Sequence, residues 1–234
     1  MSTPKAMTPR QAVVLAGGSA TRLRPYTDDR PKPLVEIAGK TIFERQVEWL
    51  AAGGISHVVV ACGYRADVFE HFVETTPLPL AVTTVREETR LGRGGGLKFG
   101  AHALPFQDEP WMGLNGDVLT DDPVSDICAQ HAETGAAATV AVARYRCPYG
   151  VLQIADDNTV ESFVEAPLLP NWINAGIYVF GLAVSELLPD VGDHEDTTFP
   201  LLAKENRLFA YRIMGSWRGI DTVKDLQEAN QVLG

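Results

Sequence analysis

The residues best suited to chemistry near the start of the chain are cations that follow a pair of glycines. Gly17 and Gly18 end an apolar run, and Arg22 and Lys32 follow within a segment that holds few acids. Glycines let the backbone approach a ligand closely, and successive backbone N–H groups can surround a phosphate. Arg22 can bind phosphate oxygens through two N–H groups, and Lys32 supplies a point charge. The segment predicts a phosphate site, although an ordinary glycine-rich turn with surface cations has the same composition.

Two carboxylates occur at places where a metal site could form. Asp117 follows an apolar segment and the pair Asn115-Gly116, and Asp221 lies shortly after Trp217. Proteins hold Mg²⁺ through one or two carboxylates together with phosphate oxygens. Local sequence leaves an alternative open for each residue. Asn-Gly-Asp is also favourable turn chemistry, and Asp221 could instead cap the helix that begins near Thr222.

The first 135 or so residues alternate short apolar runs with helical patterns. Because parallel strands need helical crossovers of this length, the alternation predicts βαβ units in a layered α/β sheet. The predicted strands are Gln11–Ala16, His57–Cys62, Leu80–Val85, Trp111–Leu114 and Ala137–Val142. The predicted helices are Thr41–Ala52, Ala66–Val73, Gly96–His102 and Pro123–Glu133.

The second half of the chain has closely spaced strand patterns. Val151–Ile154, Val160–Val164 and Ile173–Phe180 are separated by turn residues and prolines. This spacing predicts antiparallel hairpin structure inserted beside the main sheet. The remaining predicted elements are helices near Val184–Leu188, Phe199–Glu205 and Val223–Val232, and a strand at Leu208–Ile213. No repeat or linker divides the chain, so we expect one domain over residues 1–234.

Composition and charge restrict the class of protein. The 234 residues include 20 Lys and Arg against 30 Asp and Glu, a formal charge of −10. A general nucleic-acid binder usually carries a basic surface, so this class is excluded. Cys62, Cys128 and Cys147 have no metal or disulfide spacing. The apolar runs are too short for a signal peptide or a membrane span, which predicts a cytoplasmic protein.

Two segments closely resemble the signature of the sugar-1-phosphate nucleotidylyltransferases. They are Leu15–Pro25, with the sequence LAGGSATRLRP, and Arg30–Leu34, with RPKPL. The P-loop and dinucleotide-binding patterns are absent at this first strand. The resemblance continues in family order over nearly the whole chain, at Ile37–Lys40, Leu91–Leu97, Leu114–Asp117, Asn174–Tyr178 and Trp217–Thr222.

The resemblance implies a reaction and a fold. In this family a nucleoside triphosphate and a sugar 1-phosphate give a nucleotide sugar and pyrophosphate, with Mg²⁺ as cofactor. The implied fold is α/β: a three-layer, Rossmann-like nucleotidyltransferase fold with a mixed central sheet and a small antiparallel sugar-binding insertion. Residues of about 10–135 would form the nucleotide-binding half, and residues of about 136–234 the sugar-binding half.

The resemblance also implies roles for individual residues. Arg22 would bind the pyrophosphate leaving group, and Lys32 would steady the α-phosphate. Asp117 and Asp221 would hold Mg²⁺, since a related cytidylyltransferase pattern has its aspartate at the position of Asp221. The implied nucleotide-binding residues are Leu15, Ala16, Gly17, Gly18, Gly92, Gly94, Gly95 and Asn115. The implied sugar-binding residues are Gly150, Glu165 and Asn174.

The sequence departs from the family pattern at four positions. They are Ala20, Arg93, Ala166 and Gly219, which stand where relatives usually have Gly, Thr, Lys and Asp. The lysine missing at 166 usually meets the sugar phosphate, so another cation must neutralise that group. The alternatives are Arg93, Arg144, Arg146 and Arg218, and we choose Arg218 because it is close to Asp221 in sequence.

The substrates are less determined than the reaction class. Leu91–Leu97 resembles the loop of mannose- and heptose-phosphate guanylyltransferases, whereas Ala61–Tyr64 and the Asp221 segment favour cytidylyltransferases. We choose GTP, with CTP and UTP as alternatives, and a hexose, heptose or cyclitol phosphate as acceptor. A cytidylyltransferase of a non-sugar alcohol phosphate, a Rossmann-like sugar transferase and a non-catalytic sensor of nucleotide sugars stay open. We expect no nucleic-acid or membrane partner, and a homodimer is one possible assembly.

Overall fold

The computed structural model describes residues 8–234. Strands and helices alternate over the first half of the chain. Residues 1–7, which fall in the predicted domain and carry no predicted targeting signal, lie outside the described residues. The strands are β1 (Gln11–Ala16), β2 (Glu36–Ile37), β3 (Lys40–Thr41), β4 (His57–Cys62), β5 (Ala81–Arg86), β6 (Trp111–Asn115), β7 (Val118–Thr120), β8 (Ala138–Arg146), β9 (Val151–Ile154), β10 (Val160–Val164), β11 (Leu168–Phe180), β12 (Leu208–Arg212) and β13 (Trp217–Gly219). The helices are α1 (Ile42–Ala52), α2 (Ala66–Thr75), α3 (Gly92–Ala101), α4 (Val124–Thr134), α5 (Thr198–Lys204) and α6 (Val223–Leu233).

Seven strands form the central sheet, in the order β12-β8-β11-β6-β1-β4-β5. The strands β5, β4, β1 and β6 are parallel, which confirms the βαβ prediction for the first half. β11 runs antiparallel to both β6 and β8, and β12 is parallel to β8. The sheet is therefore mixed, as the family resemblance implies.

The prediction for Ile173–Phe180 as part of an inserted hairpin was wrong. These residues belong to β11, and Ala175–Phe180 are buried between β6 and β8 in the central sheet. Of the three strands in that prediction, β9 and β10 form an antiparallel pair outside the central sheet. Close sequence spacing predicts a hairpin, but the continuous apolar run from Ala175 fits a strand that is covered on both faces.

Helices cover the sheet on both faces and give three layers. Neighbouring residues of β1 face opposite ways, because side chains alternate along a strand. Val14 packs with Phe43 of α1 in one apolar cluster, and Val13 packs with Leu97 of α3 in a second. Both clusters consist of buried side chains, so each face of the central sheet packs against its own hydrophobic core.

A third, smaller apolar cluster supports the loops that carry the predicted catalytic cations. Leu23 and Ile42 are buried with Ile220 and Leu226, which brings the loop after β1 against α6. α6 begins with a capping box in which the Thr222 hydroxyl accepts from the backbone N–H of residue 225. α6 is thereby fixed beside the loop that follows β1.

α3 begins four residues before its predicted start at Gly96, and its first turn contains the glycine-rich run. The glycines are required by packing. A Cβ at Gly94 would lie 2.7 Å from the backbone nitrogen of His194, and one at Gly95 would lie 2.5 Å from the carbonyl oxygen of Asp190. The interaction with the 190–194 segment therefore stabilises a helix that intrinsic propensity disfavours. Among residues 8–234, no helix has the length and apolar content that crossing a membrane requires.

Candidate functional site

The carboxyl ends of β1, β4 and β6 lie side by side and carry the predicted nucleotide-binding loops. Gly116 donates its backbone N–H to the carbonyl of Leu15 at 3.0 Å, and Tyr64 donates to the carbonyl of Gly17 at 3.3 Å. A Cβ at Gly63 would lie 2.9 Å from that same Gly17 oxygen. Ligands of open α/β sheets bind at this edge. Gly17 is half-buried and Gly18 is exposed there.

The two predicted metal ligands and both predicted catalytic cations meet at this edge. The Nζ of Lys32 lies 2.6 Å from Oδ2 of Asp117 and 2.9 Å from Oδ1 of Asp221. Arg22 donates from its guanidinium to the same Asp221 oxygen at 2.9 Å. Lys32 is the most deeply placed of the four, with 12% of its side chain exposed. We call these four residues the reaction cluster.

Separate elements position each member of the reaction cluster. Lys32 begins a 3₁₀ turn between Pro31 and Pro33, and Arg22 lies in the 3₁₀ turn Thr21–Leu23. Asp117 occupies the turn between β6 and β7. The backbone N–H of Ile220 donates to the Asp117 carbonyl at 2.9 Å and so brings the segment with Asp221 beside it.

Asp221 is not the helix cap that local sequence left open. Thr222 is the N-cap residue of α6, so the Asp221 carboxylate is available to Lys32 and Arg22. Burial alone would raise the pKa of Asp221, but the hydrogen bond and charge of Lys32 and the charge of Arg22 outweigh it and hold that pKa below its ordinary value. Asp221 is therefore ionised at neutral pH and suited to bind a cation.

The donor set of the reaction cluster fits Mg²⁺ that is bound together with a phosphate. Within residues 8–234 there is no group of three or more His, Cys, Asp or Glu side chains placed to hold a metal alone. Asp117 and Asp221 supply two carboxylates that converge on one cation, Lys32. Mg²⁺ commonly takes one or two carboxylates and completes its coordination with water and substrate phosphates.

Three of the predicted sugar-binding residues, Gly150, Glu165 and Asn174, lie at two places: Gly150 is next to Glu165, and Asn174 is on β11. A Cβ on Gly150 would lie 2.9 Å from Oε2 of Glu165, so these two residues are adjacent. Asn174 donates to the Tyr178 hydroxyl at 3.0 Å and accepts from the backbone N–H of Gly176 at 2.9 Å. The latter contact orients Asn174 on β11, the strand next to β6.

β11 and β6 meet closely at Gly176 and Asn115. Gly176 has φ +73° and leaves no room for a side chain, because a Cβ there would lie 2.7 Å from the Asn115 amide nitrogen. The amide oxygen of Asn115 is buried without a hydrogen-bond partner among the described residues. Asn115 therefore has an unused acceptor where β6 lies against β11.

The structure does not bring Arg218 to the reaction cluster. Trp217 and Gly219 lie on the Asp221 side of β13, and a Cβ at Gly219 would lie 3.9 Å from the Asp221 carboxylate. Arg218 is on the opposite side, in the lining of a cavity that also contacts Trp49. Nearness in sequence was a poor guide here because side chains alternate along an extended segment.

The other three cations considered for the sugar phosphate have different surroundings. Arg93 is bound by Asp193 at 2.8 Å and by Glu195 at 3.2 Å. Arg144 lies over the ring of Trp172, with 4.5 Å between the guanidinium carbon and the ring centroid. Arg146 donates to the backbone carbonyl of Ala166 at 2.8 Å, so its guanidinium lies beside the backbone of the residue that replaces the usual lysine.

Sequence reasoning missed Glu87, which lies between the two predicted nucleotide-binding segments. A Cβ on Gly17 would lie 3.2 Å from its carboxylate, and one on Gly96 would lie 2.8 Å from it. Its hydrogen bond is a long one, 3.4 Å from the backbone N–H of Leu91. Burial raises the pKa of Glu87 above its ordinary value. An acid directly after the β5 pattern, at the ligand-binding edge of the sheet, is the signal that would have found it.

Residues 11–234 match the family model described as nucleotidyl transferase. The chain belongs to the nucleotidyl transferase family. The chain is 36% identical over 225 residues to mannose-1-phosphate guanyltransferase beta-B of Xenopus laevis, an alignment that covers 92% of this chain and 62% of the relative. A protein named mannose-1-phosphate guanyltransferase from Gibberella zeae is 35% identical over 226 residues, with the same coverage. The chain thus spans about three fifths of the length of these relatives.

Among solved structures, the chain resembles HddC from Yersinia pseudotuberculosis. The TM-score is 0.75 at 25% sequence identity, and the match covers 97% of this chain and 100% of that chain. The agreement over whole chains confirms the nucleotidyltransferase fold that the sequence motifs implied.

Proposed function

We propose that this nucleotidyl transferase transfers guanosine monophosphate from GTP to a sugar 1-phosphate and releases pyrophosphate. The observation that carries the proposal is the reaction cluster, in which Lys32 joins Asp117 and Asp221 beside the Gly17-Gly18 loop. The names of the relatives from Xenopus laevis and Gibberella zeae agree with the choice of guanine.

The chemistry needs positioning and charge neutralisation more than a protein nucleophile. An oxygen of the sugar phosphate attacks the α-phosphorus of GTP in line, and the bond from that phosphorus to the bridging oxygen of pyrophosphate breaks. Lys32 stabilises the negative charge on the α-phosphate, and Arg22 binds the departing pyrophosphate. Asp117 and Asp221 would hold Mg²⁺, which when bound neutralises phosphate charge.

Glu87 supports guanine over the other bases. Guanine presents two roughly parallel N–H donors, on ring N1 and on the exocyclic N2, which a carboxylate can accept as a pair. Cytosine presents a ring acceptor at the corresponding atom, and uracil has a single ring N–H between two carbonyls. The Glu87 carboxylate faces Gly17 and Gly96 and has only the weak bond from Leu91, so it is available to accept both guanine donors.

The acceptor is proposed to lie over β11 and the β9–β10 pair. Glu165 and Asn174 supply acceptors and a donor for sugar hydroxyls, and the Glu165 carboxylate lies close against Gly150. In place of Arg218, we assign the sugar-phosphate contact to Arg146, because its guanidinium lies against Ala166. The acceptor class is a hexose, heptose or cyclitol 1-phosphate.

The test is pyrophosphate release over a grid of nucleotides and acceptors. GTP, CTP, UTP, dTTP and ATP are each combined with mannose, glucose, heptose, aminosugar and cyclitol 1-phosphates, with Mg²⁺ present and Asp117→Ala as the blank. We expect release with GTP and one class of sugar 1-phosphate, and a raised KM for that sugar phosphate in Arg146→Gln. Release with CTP and a non-sugar alcohol phosphate would overturn the proposal. Nucleotide-sugar binding without turnover in any combination would indicate the non-catalytic sensor.

A further inference from the structure

A cavity of about 520 Å³ opens at the carboxyl ends of β8 and β12. Its lining includes Arg144 of β8, Trp172 of β11, Arg212 of β12 and the loop that follows β12. Residues i and i+2 of a strand face the same way, and the register of β11 on β8 is regular between Trp172 and Asn174. Trp172 therefore lies on the same face of β11 as Asn174, beside the proposed acceptor site.

Two guanidinium groups of the cavity meet at the Trp172 ring. The guanidinium carbon of Arg144 lies 4.5 Å from the ring centroid, and that of Arg212 lies 5.3 Å from it. Arg144 donates from Nη1 to the carbonyls of Leu169 and Pro170, at 3.3 and 3.0 Å, which leaves its Nε and Nη2 for a ligand. Within residues 8–234, neither arginine forms an ion pair, and Arg212 donates no hydrogen bond.

The positive charge of this cavity is not balanced by the residues around it. The lining contains no Asp or Glu, although the chain as a whole has a formal charge of −10. Asp122 is 5% exposed and holds the wall, since it accepts from the Tyr211 hydroxyl and from the backbone N–H groups of Met214 and Gly215. Two like charges beside one ring repel each other, and an anion bound between them removes that cost.

Trp217 connects the cavity to the reaction cluster. Its ring lines the cavity, and its Nε1 donates to the carbonyl of Ala175 at 2.9 Å, one residue after Asn174. Gly219 lies between this ring and Asp221, because a Cβ there would lie 3.5 Å from the ring and 3.9 Å from the carboxylate. The glycine that stands in place of the usual aspartate thus puts no side chain between them.

We propose that this cavity binds a second anionic group of the acceptor, a carboxylate or phosphate at the end of the sugar opposite its 1-phosphate. The inference rests on the proposed transfer to a sugar 1-phosphate and narrows its substrate class. The 1-phosphate would lie between Arg146 and the reaction cluster, with the sugar ring against Asn174 and Trp217. The distal anion would lie between Arg144 and Arg212. Guanidinium groups bind carboxylate and phosphate oxygens through paired N–H donors, so the two arginines select an acidic sugar over a neutral one.

The test is a titration of ¹⁵N-tryptophan-labelled full-length protein in which the indole N–H signals are followed. The probes are the 1-phosphates of glucose and mannose, the corresponding uronic acid 1-phosphates and the corresponding 1,6-bisphosphates. Each is added with and without α,β-methylene-GTP and Mg²⁺. Trp172 reports on the cavity, and Trp111, whose Nε1 donates to the Ser185 hydroxyl at 3.1 Å, is the internal reference.

Arg212→Gln is the main variant, because the Arg212 guanidinium bonds nothing else among residues 8–234 and its loss should leave the fold intact. Arg207→Gln is its matched control. It removes the same charge at the opposite end of β12, where Arg207 is paired with Glu205 at 2.8 Å. Arg144→Gln is a second variant, which also gives up the contacts with the carbonyls of residues 169 and 170.

We expect a saturable shift of the Trp172 signal and an affinity about tenfold or more higher for an acidic acceptor than for the matching neutral one. Arg212→Gln and Arg144→Gln should each remove this preference, and Arg207→Gln should keep it. Tighter binding of the uronic acids identifies a carboxylate subsite, and tighter binding of the bisphosphates identifies a phosphate subsite.

Equal affinity for acidic and neutral acceptors, a preference that persists in Arg212→Gln, or the absence of a Trp172 shift with every probe would overturn the proposal. The proposed reaction is judged separately by pyrophosphate release. Preferential binding of an acidic acceptor without release would contradict the reaction alone, and release that is equally efficient with neutral acceptors would contradict this inference alone.

Discussion

Asp117 and Asp221 are brought together by one ammonium group, that of Lys32, which lies within 3 Å of an oxygen of each. Two carboxylates at such close range would repel each other without a cation between them. Lys32 therefore holds the pair in place before a metal or a phosphate arrives. This preorganisation is the basis of the first two predictions.

Replacing Lys32 with Met should lower kcat by about 10²–10³-fold, the effect typical of removing one donor to a developing negative charge. The methionine retains the unbranched shape of the side chain up to its fourth atom but lacks the ammonium that neutralises the α-phosphate. Pyrophosphate release under saturating substrates measures the effect. Lys224→Met is the matched control, because Lys224 is 79% exposed on α6 with only a long ion pair to Glu228. A kcat within threefold of the wild type in Lys32→Met would contradict the assigned role.

Divalent metal should bind tightly only together with nucleotide. Without a phosphate, the charges of Asp117 and Asp221 are already satisfied by Lys32 and Arg22, so Mg²⁺ alone gains little. Thermal unfolding should show a small shift in Tm with Mg²⁺ or GTP alone and a larger shift with both. Asp117→Asn should remove the extra shift, and chelation with EDTA should abolish turnover. A large shift with Mg²⁺ alone would contradict this account.

Glu87→Gln should reduce the preference for GTP over other nucleotides. The neutral amide can accept from only one of the two guanine donors and places an N–H beside the other. Loss of one hydrogen bond to a charged group corresponds to about 10–100-fold in kcat/KM for GTP. The comparison is kcat/KM for GTP against UTP in the wild type, in Glu87→Gln and in the exposed neighbour variant Glu88→Gln. Equal GTP preference in all three proteins would show that Glu87 does not contact the base.

His131 should make the free energy of unfolding depend on pH. Burial lowers the pKa of His131 below its ordinary value of 6.5, and its Nδ1 lies 2.9 Å from the Thr139 hydroxyl. The folded state therefore keeps the ring neutral, whereas the unfolded chain binds a proton below about pH 6.5. The stabilisation is complete above that pH and is lost as the pH falls toward the folded pKa.

Urea unfolding at several pH values between 7.5 and 5 measures this contribution. Each such histidine adds at most about 1.4 kcal/mol per pH unit to the slope. His131→Asn, which can still bond the Thr139 hydroxyl, should therefore give a shallower dependence than the wild type. An unchanged slope would mean that other groups, such as His194 with its pKa lowered to about 4, account for the whole effect.

The elements that the sequence predicted best are those with one dominant signal. β1 and β4 have the predicted bounds, because a continuous apolar, β-branched run closed by glycine or turn residues has few other interpretations. β7 and β13 were missed, since a strand of three residues has too short a pattern to recognise. They matter nonetheless, because their pairing helps to place Asp221 beside Asp117.

The reaction cluster was predictable because its residues lie in recognisable motifs. Arg22, Lys32, Asp117 and Asp221 were all named from sequence, and the structure brings them together. Glu87 belongs to no motif, and its position depends on the contact between the end of β5 and the start of α3. Such contacts follow from packing that sequence alone does not reveal.

The bond between Lys32 and Asp221 joins residues separated by 189 positions in the chain. The strands β5, β4, β1 and β6 all lie in the first half of the sequence, and the pairs they form join residues at most 100 positions apart, as for Ala12 and Met112. The remaining strands of the central sheet, β11, β8 and β12, join these four through the pairing of β11 with β6. Contacts across long chain separations close slowly because their entropy must be lost first. Enzymatic activity should therefore be the last property to return during refolding, after the parallel sheet has regained its secondary structure.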